Sequence, residues 1–464
     1  MLDNYIDNIK DEIIQKTCEL IKIPSVYSYS DNPNHPFGEN TAKALDYMLN
    51  LSKELGFKTK NIDGYCGYIE FGEGKDLVGI IGHLDVVPEG ENWTYPPFSA
   101  TIDNGKIFGR GAIDDKGPVI ASLYAMKAVL DTCKVKKRVR LILGIDEERN
   151  WGCINYYKEH EEHPTIGFSP DADFPCIYAE KGLLNISLEQ SYSSNNSIEI
   201  TDIDCNNNAI NVVPKYCKIN LKINSKSIHL NDLINTINSF ALENSIEINI
   251  LSDNEISIIS KGIASHAAHP EHGTNAISSL LVILYKTFDK YDIHINILDF
   301  FIKYIGYDFN GEKLNLNYTD ESGILTINVA QLSLENNNIF LAMNLRIPVT
   351  MDSNIVKNKF ALSSKEYNLT SEFYGEKAPL YIPKGNELVT KLCNIFNKKT
   401  GLNENPIAIG GATYARAFKN CISFGTNMPH NKDMCHQVDE FISIDNLILS
   451  SKIYAEAIYE LAKE

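Results

Sequence analysis

Basic charge and long apolar runs are both scarce in this sequence of 464 residues. Lysine and arginine together number 43 against 60 acidic residues, and the formal net charge is −17. The chain therefore lacks the basic surplus with which proteins bind nucleic-acid phosphates. Its most apolar run, over 276–285, is much shorter than the ~20 residues that cross a bilayer. We expect neither a nucleic-acid partner nor a membrane partner.

Cysteine is present, but without the spacing that would give it a structural role. The ten cysteines are scattered between Cys18 and Cys435, and none of them forms a C-x-x-C pair. Residues 1–5 also lack the basic start of a secretion signal. Scattered cysteines in a long chain are typical of a reducing compartment, where thiols stay free. The expected location is therefore the cytoplasm.

The sequence pattern changes twice along the chain. Residues 1–182 alternate short apolar strands with amphipathic helices, which is typical of an α/β layer with a mostly parallel sheet. Residues 183–376 are rich in Asn, Ile and Ser. The alternation of strands and amphipathic helices resumes over 377–464. The predicted fold class is α/β: a domain with a mostly parallel central sheet and flanking helices, interrupted by an inserted α+β domain. The predicted helices are 6–23, 41–55 and 118–130, and the predicted strands are 77–82, 139–145, 197–203 and 218–224.

Five separated segments place a histidine or a carboxylate after an apolar, strand-like run. In the first segment, His83 and Asp85 face the same way because they are two residues apart in an extended strand. A carboxylate in that position can fix the tautomer of a metal-binding imidazole, although a surface pair is an equally open interpretation of this motif alone. The other segments contain Asp114-Asp115, Asp146-Glu147-Glu148, Asp171 with Asp173, and His436.

Each of these segments is weak when taken alone, because acidic clusters are usually solvated faces or helix N-termini. Together they offer two histidines and at least three carboxylates, a mixture of nitrogen and oxygen donors that suits zinc or manganese. Other hydrolase chemistries have less support. The sequence has no G-x-S-x-G elbow of a serine hydrolase and no H-E-x-x-H motif of a single-zinc protease.

Four runs in order carry a more specific signal: GHLDVVPEGENW, GRGAIDDKGP, DEERNWG and FSPDADFP. From about Leu20 onward, the sequence resembles the M20 family of two-metal peptidases, and within it the dipeptidase branch typified by bacterial PepV-like enzymes. This resemblance implies two divalent metal ions per chain, Zn²⁺ being expected and Mn²⁺ or Co²⁺ being alternatives. It also implies a small peptide substrate, a catalytic domain made of residues 1–182 and 377–464, and an insert of residues 183–376 that acts as its lid.

The resemblance assigns a metal-binding role to five side chains. His83 and Asp171 would bind one ion, and Glu148 and His436 would bind the other. Asp114 would bridge both ions.

Two more residues of the catalytic domain receive roles in the same way. Asp85 would orient His83, and Glu147 would be the general base. The implied reaction is attack on a peptide carbonyl by a metal-bridged hydroxide. In the family a cis peptide bond follows the bridging carboxylate, which here is the bond Asp114–Asp115.

The insert contains three residues that resemble the family's lid groups. His266, in the run SHAAHPEH, matches a histidine that stabilises the oxyanion. From the residues alone, a loop that merely tolerates three histidines is the alternative. Asn211 and Arg346 match substrate-binding residues of the lid, and an arginine suits a substrate carboxylate held by two parallel hydrogen bonds.

The run GGATYAR resembles the family's glycine-rich loop, and its substrate-binding candidates are Gly411 and Thr413. Ala412 stands where the family has a third glycine, and Asp439 stands where relatives often carry Asn. Both departures bear on substrate preference more than on the reaction.

The main functional prediction is a dipeptidase that acts on dipeptides with a free C-terminal carboxylate. The alternative on the same metal core is an N-acyl-amino-acid deacylase, of the succinyl-diaminopimelate desuccinylase or acetylornithine deacetylase type. The insert of about 190 residues favours a dipeptidase and a monomer, because deacylases commonly carry a dimerising lid of roughly 100 residues. A peptide-binding protein with an inactive metal site is disfavoured, since the ligands, Glu147 and His266 are all present.

Overall fold

The chain forms two compact units. It passes from unit 1 into unit 2 twice and ends in unit 1. The computed structural model describes residues 1–193, 196–206, 209–241 and 245–464. Unit 1 comprises residues 1–179, 380–407 and 412–464, and unit 2 comprises residues 180–379 and 408–411. The predicted domain boundaries, at 182/183 and 376/377, stay a prediction.

Two of the three predicted helices are present as single helices, and the third is divided. The predicted helix over 6–23 is two helices that meet at Ile9. The predicted helices over 41–55 and 118–130 each begin two residues earlier, at Glu39 and Lys116. In chain order the α-helices are α1 Leu2–Asn8, α2 Lys10–Ile21, α3 Glu39–Glu54, α4 Lys116–Thr132, α5 Gly152–His160, α6 Leu230–Phe240, α7 Ala276–Lys290, α8 Asn296–Tyr304, α9 Ser353–Lys365, α10 Glu387–Thr400 and α11 Ile444–Ala462.

The strands include all four that the sequence predicts. In chain order they are β1 Lys58–Ile62, β2 Cys66–Phe71, β3 Leu77–His83, β4 Thr101–Asp103, β5 Lys106–Phe108, β6 Arg138–Gly144, β7 Ile166–Ser169, β8 Ala172–Asp173, β9 Ile177–Glu180, β10 Gly182–Ser191, β11 Ile198–Asp204, β12 Tyr216–Ile223, β13 Ser245–Ser252, β14 Glu255–Lys261, β15 Thr319–Asp320, β16 Gly323–Ile324, β17 Thr326–Glu335, β18 Asn338–Ile347, β19 Thr370–Lys377, β20 Leu380–Tyr381, β21 Ile407–Ile409, β22 Cys421–Ser423, β23 Thr426–Asn427 and β24 Phe441–Ser443.

Unit 1 is built on a sheet in which the strand order is β1-β2-β6-β3-β7-β22-β9-β20. The inner strands β6, β3, β7 and β22 are parallel, and antiparallel strands lie at the margins. Every residue of β3 is buried, which explains its continuous apolar sequence. Helix α4 packs against α2, α11 and β3. The predicted α/β class with a mostly parallel central sheet is thereby confirmed.

Unit 2 has an α+β composition. In its described part, β17-β18-β10-β19 and β11-β12-β14-β13 form two antiparallel four-stranded sheets. Helix α7 contacts β12, β14 and β17, and its apolar side chains join theirs in one buried cluster. Within the described ranges of the whole chain, every helix is too short or too polar to cross a membrane.

Candidate metal centre

Three adjacent parallel strands deliver four of the predicted site residues to one edge of the sheet. His83 is the last residue of β3, Glu147 and Glu148 follow β6, and Asp171 follows β7. Because the carboxyl ends of parallel strands meet at the same edge, residues from distant parts of the sequence come together there.

Two further segments bring Asp114 and His436 to the same edge. Asp114 lies just before α4, and its neighbour Asp115 accepts a hydrogen bond of 3.0 Å from the main-chain N–H of His83. The peptide bond Asp114–Asp115 is cis, which confirms the expectation from the resemblance. His436 lies in the loop before β24, and the pairing of β24 with β5 brings this loop beside the segment that precedes α4.

The five predicted ligands form two groups that share Asp114. In the first group, Nε2 of His83 lies 3.0 Å from Oδ1 of Asp114 and 3.6 Å from Oδ2 of Asp171. In the second, Nε2 of His436 lies 3.1 Å from Oδ2 of Asp114 and 3.0 Å from Oε1 of Glu148. The two oxygens of Asp114 thus face different histidines, as a carboxylate that bridges two ions must.

The donor set fits two divalent cations. Within each group the ligand atoms lie within 4.8 Å of one another, and imidazole with carboxylate is a mixture that Zn²⁺ and Mn²⁺ bind. Burial and the neighbouring Asp114 carboxylate raise the pKa of Asp171 to about 7. Hydrogen bonds to Asp114 and Glu148 raise the pKa of His436 to about 11. Both shifts show that this cluster of carboxylates favours positive charge in its centre.

Glu147 lies beside these groups and also within reach of His83. Burial raises the pKa of both glutamates, and that of Glu147 lies well above its usual range. The indole N–H of Trp151 donates to Oε1 of Glu147 at 3.2 Å, whereas Glu148 faces His436. A carboxyl with a raised pKa at the margin of a ligand cluster is suited to accept and return a proton.

Asp85 contacts both the ring of His83 and the loop after β6. Nδ1 of His83 lies 3.0 Å from the main-chain oxygen of Asp85 and 3.6 Å from its Oδ1. A carbonyl can only accept, so Nδ1 carries the proton and Nε2 faces the ligand cluster. The Asp85 carboxylate accepts the main-chain N–H groups of Glu147 and Glu148, at 3.0 and 3.1 Å. Its side chain therefore holds the loop after β6.

One residue at the site received no role from the sequence. Glu440 is fully buried, and its carboxylate accepts the main-chain N–H groups of Gly111 and Ile113, both at 3.0 Å. It also accepts from Nη1 of Arg110 at 2.8 Å and from the N–H of Asp114 at 3.3 Å. These bonds fix the loop that presents Asp114. The only sequence signal was its place at the end of the run CHQVDE. That signal does not distinguish a buried glutamate from an exposed one.

The two candidates of the glycine-rich run lie in different units. Gly411 belongs to the short segment 408–411 of unit 2. Thr413 is buried in unit 1, where its hydroxyl is hydrogen-bonded to that of Ser423 at 2.6 Å and accepts the N–H of Ala415 at 3.2 Å. The structure thus places Thr413 as a cap of the short 3₁₀ turn Tyr414–Ala417.

His266 and Asn211 are exposed neighbours in unit 2. The main-chain oxygen of Asn211 accepts the N–H of Ala267 at 2.9 Å. Nδ1 of His266 accepts the N–H of Ala268 at 3.2 Å. A neutral His266 ring therefore carries its proton on Nε2, which is the tautomer that can donate from the outer end of the ring.

Arg346 is held on β18 within unit 2 and is buried. Its Nε donates to Oδ1 of Asn344 at 2.8 Å, and its Nη1 donates to the main-chain oxygen of Gly410 at 2.6 Å. Asn344 in turn donates to Oδ1 of Asn185 at 2.7 Å. These bonds give the guanidinium one orientation.

Comparison with known proteins adds a family and a fold. A model described as "Peptidase family M20/M25/M40" matches residues 79–460. A Bacillus subtilis (strain 168) protein named "Putative dipeptidase YtjP" is 38% identical over 463 residues, which is 98% of either chain. A Staphylococcus epidermidis (strain ATCC 12228 / FDA PCI 1200) protein named "Putative dipeptidase" is 33% identical over 465 residues, again 98% of either chain.

Two solved structures share the fold. Human carnosine dipeptidase 1 superposes with a TM-score of 0.60 at 14% identity, covering 100% of this chain and 98% of that one. The dipeptidase Dug1p from Saccharomyces cerevisiae gives a TM-score of 0.59, also at 14% identity and with the same coverage. At this identity the likeness concerns the fold alone.

Proposed function

Because the chain belongs to peptidase family M20/M25/M40, we propose that it is a dipeptidase that hydrolyses dipeptides with a free C-terminal carboxylate. The observation that carries the proposal is the pair of donor groups that share Asp114, with Glu147 beside them. The names of the Bacillus and Staphylococcus relatives support the substrate class. A small peptide is thus the proposed substrate.

The proposed cofactors are two divalent ions per chain, Zn²⁺ or alternatively Mn²⁺ or Co²⁺. His83 and Asp171 would hold one, Glu148 and His436 the other, and Asp114 both. When bound, such ions supply a Lewis acid for the peptide carbonyl and lower the pKa of water.

Glu147 is the proposed general base. Burial raises the pKa of Glu147, and a carboxyl with a raised pKa suits a group that takes a proton from the attacking water and returns it to the leaving amine. Asp85 would position it, because the Asp85 carboxylate holds the main chain of the loop in which Glu147 lies. Glu148 is the poorer proton carrier in this proposal, since its carboxylate is needed as a metal ligand.

Unit 2 would contribute most of the substrate contacts. His266 would donate from Nε2 to the oxyanion, and Asn211 would bind substrate beside it. Arg346 would bind the C-terminal carboxylate by two parallel hydrogen bonds, with Gly411 and Thr413 contributing near the substrate terminus. In a dipeptide the carboxylate lies one residue beyond the scissile carbonyl, so an arginine of fixed orientation would select substrate length.

A substrate panel tests the proposal. Metal-stripped protein is re-supplied with each metal and assayed on dipeptides, their C-terminal amides, tripeptides and N-acyl amino acids. We expect dipeptides with a free carboxylate to be cleaved best. Faster cleavage of N-acyl amino acids would favour a deacylase instead, and equal cleavage of dipeptide and amide would contradict selection by the carboxylate.

Two variants separate the substrate-binding roles. His266→Ala should lower turnover by ~10²-fold, because an oxyanion donor is lost. Arg346→Ala should chiefly raise KM for the dipeptide, with little effect on the amide. The opposite pattern would reverse the two assignments.

We also propose that the protein acts as a monomer in the cytoplasm. The size of the insert supports the monomer, and the ten free cysteines support a reducing compartment. Sedimentation equilibrium of the metal-loaded protein tests the first point, and fractionation of cells tests the second.

A further inference from the structure

Unit 2 contains a cluster of possible metal ligands of its own. Among the described residues, His269, Glu271 and His272 form a group whose ligand atoms lie within 4.8 Å of one another. We propose that these three side chains bind an additional divalent ion of the Zn²⁺ type, and that this ion stiffens the loop that contains His266. The binding site stands independently of the proposed function, whereas an effect on turnover rests on it.

The geometry already approaches that of a zinc site. Nδ1 of His269 lies 3.3 Å from Oε1 of Glu271. Ligand atoms about 2.0–2.2 Å from a tetrahedral zinc ion are roughly 3.3 Å apart. The rings of His269 and His272 stack with centroids 5.3 Å apart and an interplanar angle of 14°. One ligand atom from each of the two imidazoles and from the carboxylate already lies within 4.8 Å of the others.

The local backbone explains why these residues are together. Pro270–His272 is a 3₁₀ turn, in which side chains three residues apart lie one above the other. His269 and His272 have this spacing. The main-chain N–H of His272 donates to the oxygen of His269 at 3.1 Å, and Pro270 fixes the first position of the turn. The backbone is thus arranged before any ion binds, which limits the ordering that binding requires.

The ligand chemistry and exposure suit an exchangeable ion. The side chains of His269 and Glu271 are 58% and 38% exposed, so an ion reaches them directly from solvent. Two imidazoles and a carboxylate are ligands that zinc and its neighbours prefer over Mg²⁺ or Ca²⁺. Such a set also leaves one position of a tetrahedral ion for water.

Main-chain and side-chain bonds connect this site to His266. The loop is closed at its base by reciprocal main-chain hydrogen bonds between Ile263 and Thr274, of 3.0 and 2.9 Å. Within it, the N–H of His269 donates to the oxygen of His266 at 2.9 Å, and the hydroxyl of Ser265 donates to the oxygen of His269 at 3.0 Å. An ion on His269 therefore restrains a residue that is bonded to both Ser265 and His266.

Counting ions in matched variants tests the site. Wild-type holoenzyme and variants are dialysed against rising free Zn²⁺, and zinc per chain is measured by elemental analysis. Wild type should bind one ion more than His269→Ala or His272→Ala, and Glu271→Gln should raise the dissociation constant of that ion ~10-fold. His294→Ala is the control, because His294 is also exposed in unit 2 but faces Asp292 and Asp299.

The outcome is a difference between variants, so it does not depend on how many ions the centre of unit 1 holds. Equal zinc content in wild type, His269→Ala and His272→Ala would overturn the site, as would loss of the additional ion in His294→Ala. The result is also readable if no dipeptide is hydrolysed, which separates failure of this proposal from failure of the proposed function.

Hydrogen–deuterium exchange tests the link to His266. Zn²⁺ should slow exchange of the amides over 265–273 in wild type and leave it unchanged in His272→Ala. If zinc binds but exchange in this segment does not slow, the stiffening is wrong. If exchange does slow, added Zn²⁺ should change the turnover of a dipeptide in wild type and leave it unchanged in His272→Ala.

Discussion

Glu147 and Glu148 are neighbours in sequence, yet their side chains face different partners. Oε1 of Glu148 lies 3.0 Å from Nε2 of His436, and Oε1 of Glu147 accepts the indole N–H of Trp151 at 3.2 Å. The Asp85 carboxylate holds both main-chain N–H groups. One fixed stretch of backbone therefore directs one carboxylate toward His436 and the other toward Trp151, as their proposed roles of metal ligand and general base require.

We expect Glu147→Gln to lose at least ~10²-fold in turnover and to keep its metal, because an amide has the shape of the carboxyl but cannot accept the proton. Glu148→Gln should instead lose metal, since a ligand is removed. Elemental analysis and steady-state kinetics on both variants measure this. Metal loss in the Glu147 variant with metal retention in the Glu148 variant would reverse the roles.

Asp85→Asn separates the two contacts of that residue. The main-chain oxygen that orients His83 remains, but an amide nitrogen now faces one of the N–H groups of the loop. We expect the free energy of unfolding to fall by about 1–3 kcal/mol and turnover to fall, with metal content largely retained. The exposed Asp46→Asn should change stability by less than ~0.5 kcal/mol. Metal loss as large as in His83→Ala would show that the Asp85 carboxylate orients the ring.

At the scale of elements, the loop before α4 depends on one buried carboxylate. Glu440→Gln should lower the free energy of unfolding by roughly 3–5 kcal/mol, because Arg110 and several N–H groups lose a charged acceptor. Glu460→Gln is the matched control, since its ion pair with Lys463 lies at the surface and contributes about 0–1 kcal/mol. Urea unfolding compares the two. Equal losses would mean that Glu440 does not hold the loop.

The loop of His266 depends on close backbone approach at its base. A Cβ at Gly262 would lie 1.9 Å from the main-chain oxygen of Thr274. Gly262→Ala should therefore lower the free energy of unfolding by about 1–3 kcal/mol and reduce turnover through displacement of His266. Gly385→Ala, where a Cβ meets nothing within 4 Å, is the control. Thermal unfolding and kinetics measure both variants, and indistinguishable Tm values would contradict the account.

The sequence predicted elements where their pattern is local. The strands β3 and β6 and the helices α3 and α4 were predicted to within two residues, because apolar spacing reports burial directly. The break at Ile9 was missed, since the apolar spacing continues across it.

In the candidate site too, local sequence motifs were predicted and long-range contacts were missed. Family motifs predicted five metal ligands, and the structure brings these five side chains together. The hydrogen bonds of Glu440 were missed because they join residues 327 positions apart, such as Ile113, and no pattern of spacing reports them.

At the scale of the whole molecule, the proposed ions join distant parts of the chain. His83 precedes unit 2 in sequence and His436 follows it, and both face Asp114. Each site saturated at 1,000 times its dissociation constant would contribute about 4 kcal/mol to folding stability. Removal of metal by a chelator should therefore lower Tm, and Zn²⁺ should restore it. An unchanged Tm after complete removal would contradict the two ion sites.

The position of β22 in the middle of the sheet, between β7 and β9, sets an order of assembly during synthesis. Residues 180–379 are synthesised before residue 421, so the strands of the two sheets of unit 2 can pair while β7 still lacks its neighbour β22. His436 follows later still. A nascent chain that stops before that histidine has only one of the two donor groups. Under the proposed function, activity would therefore begin only after synthesis has passed residue 436.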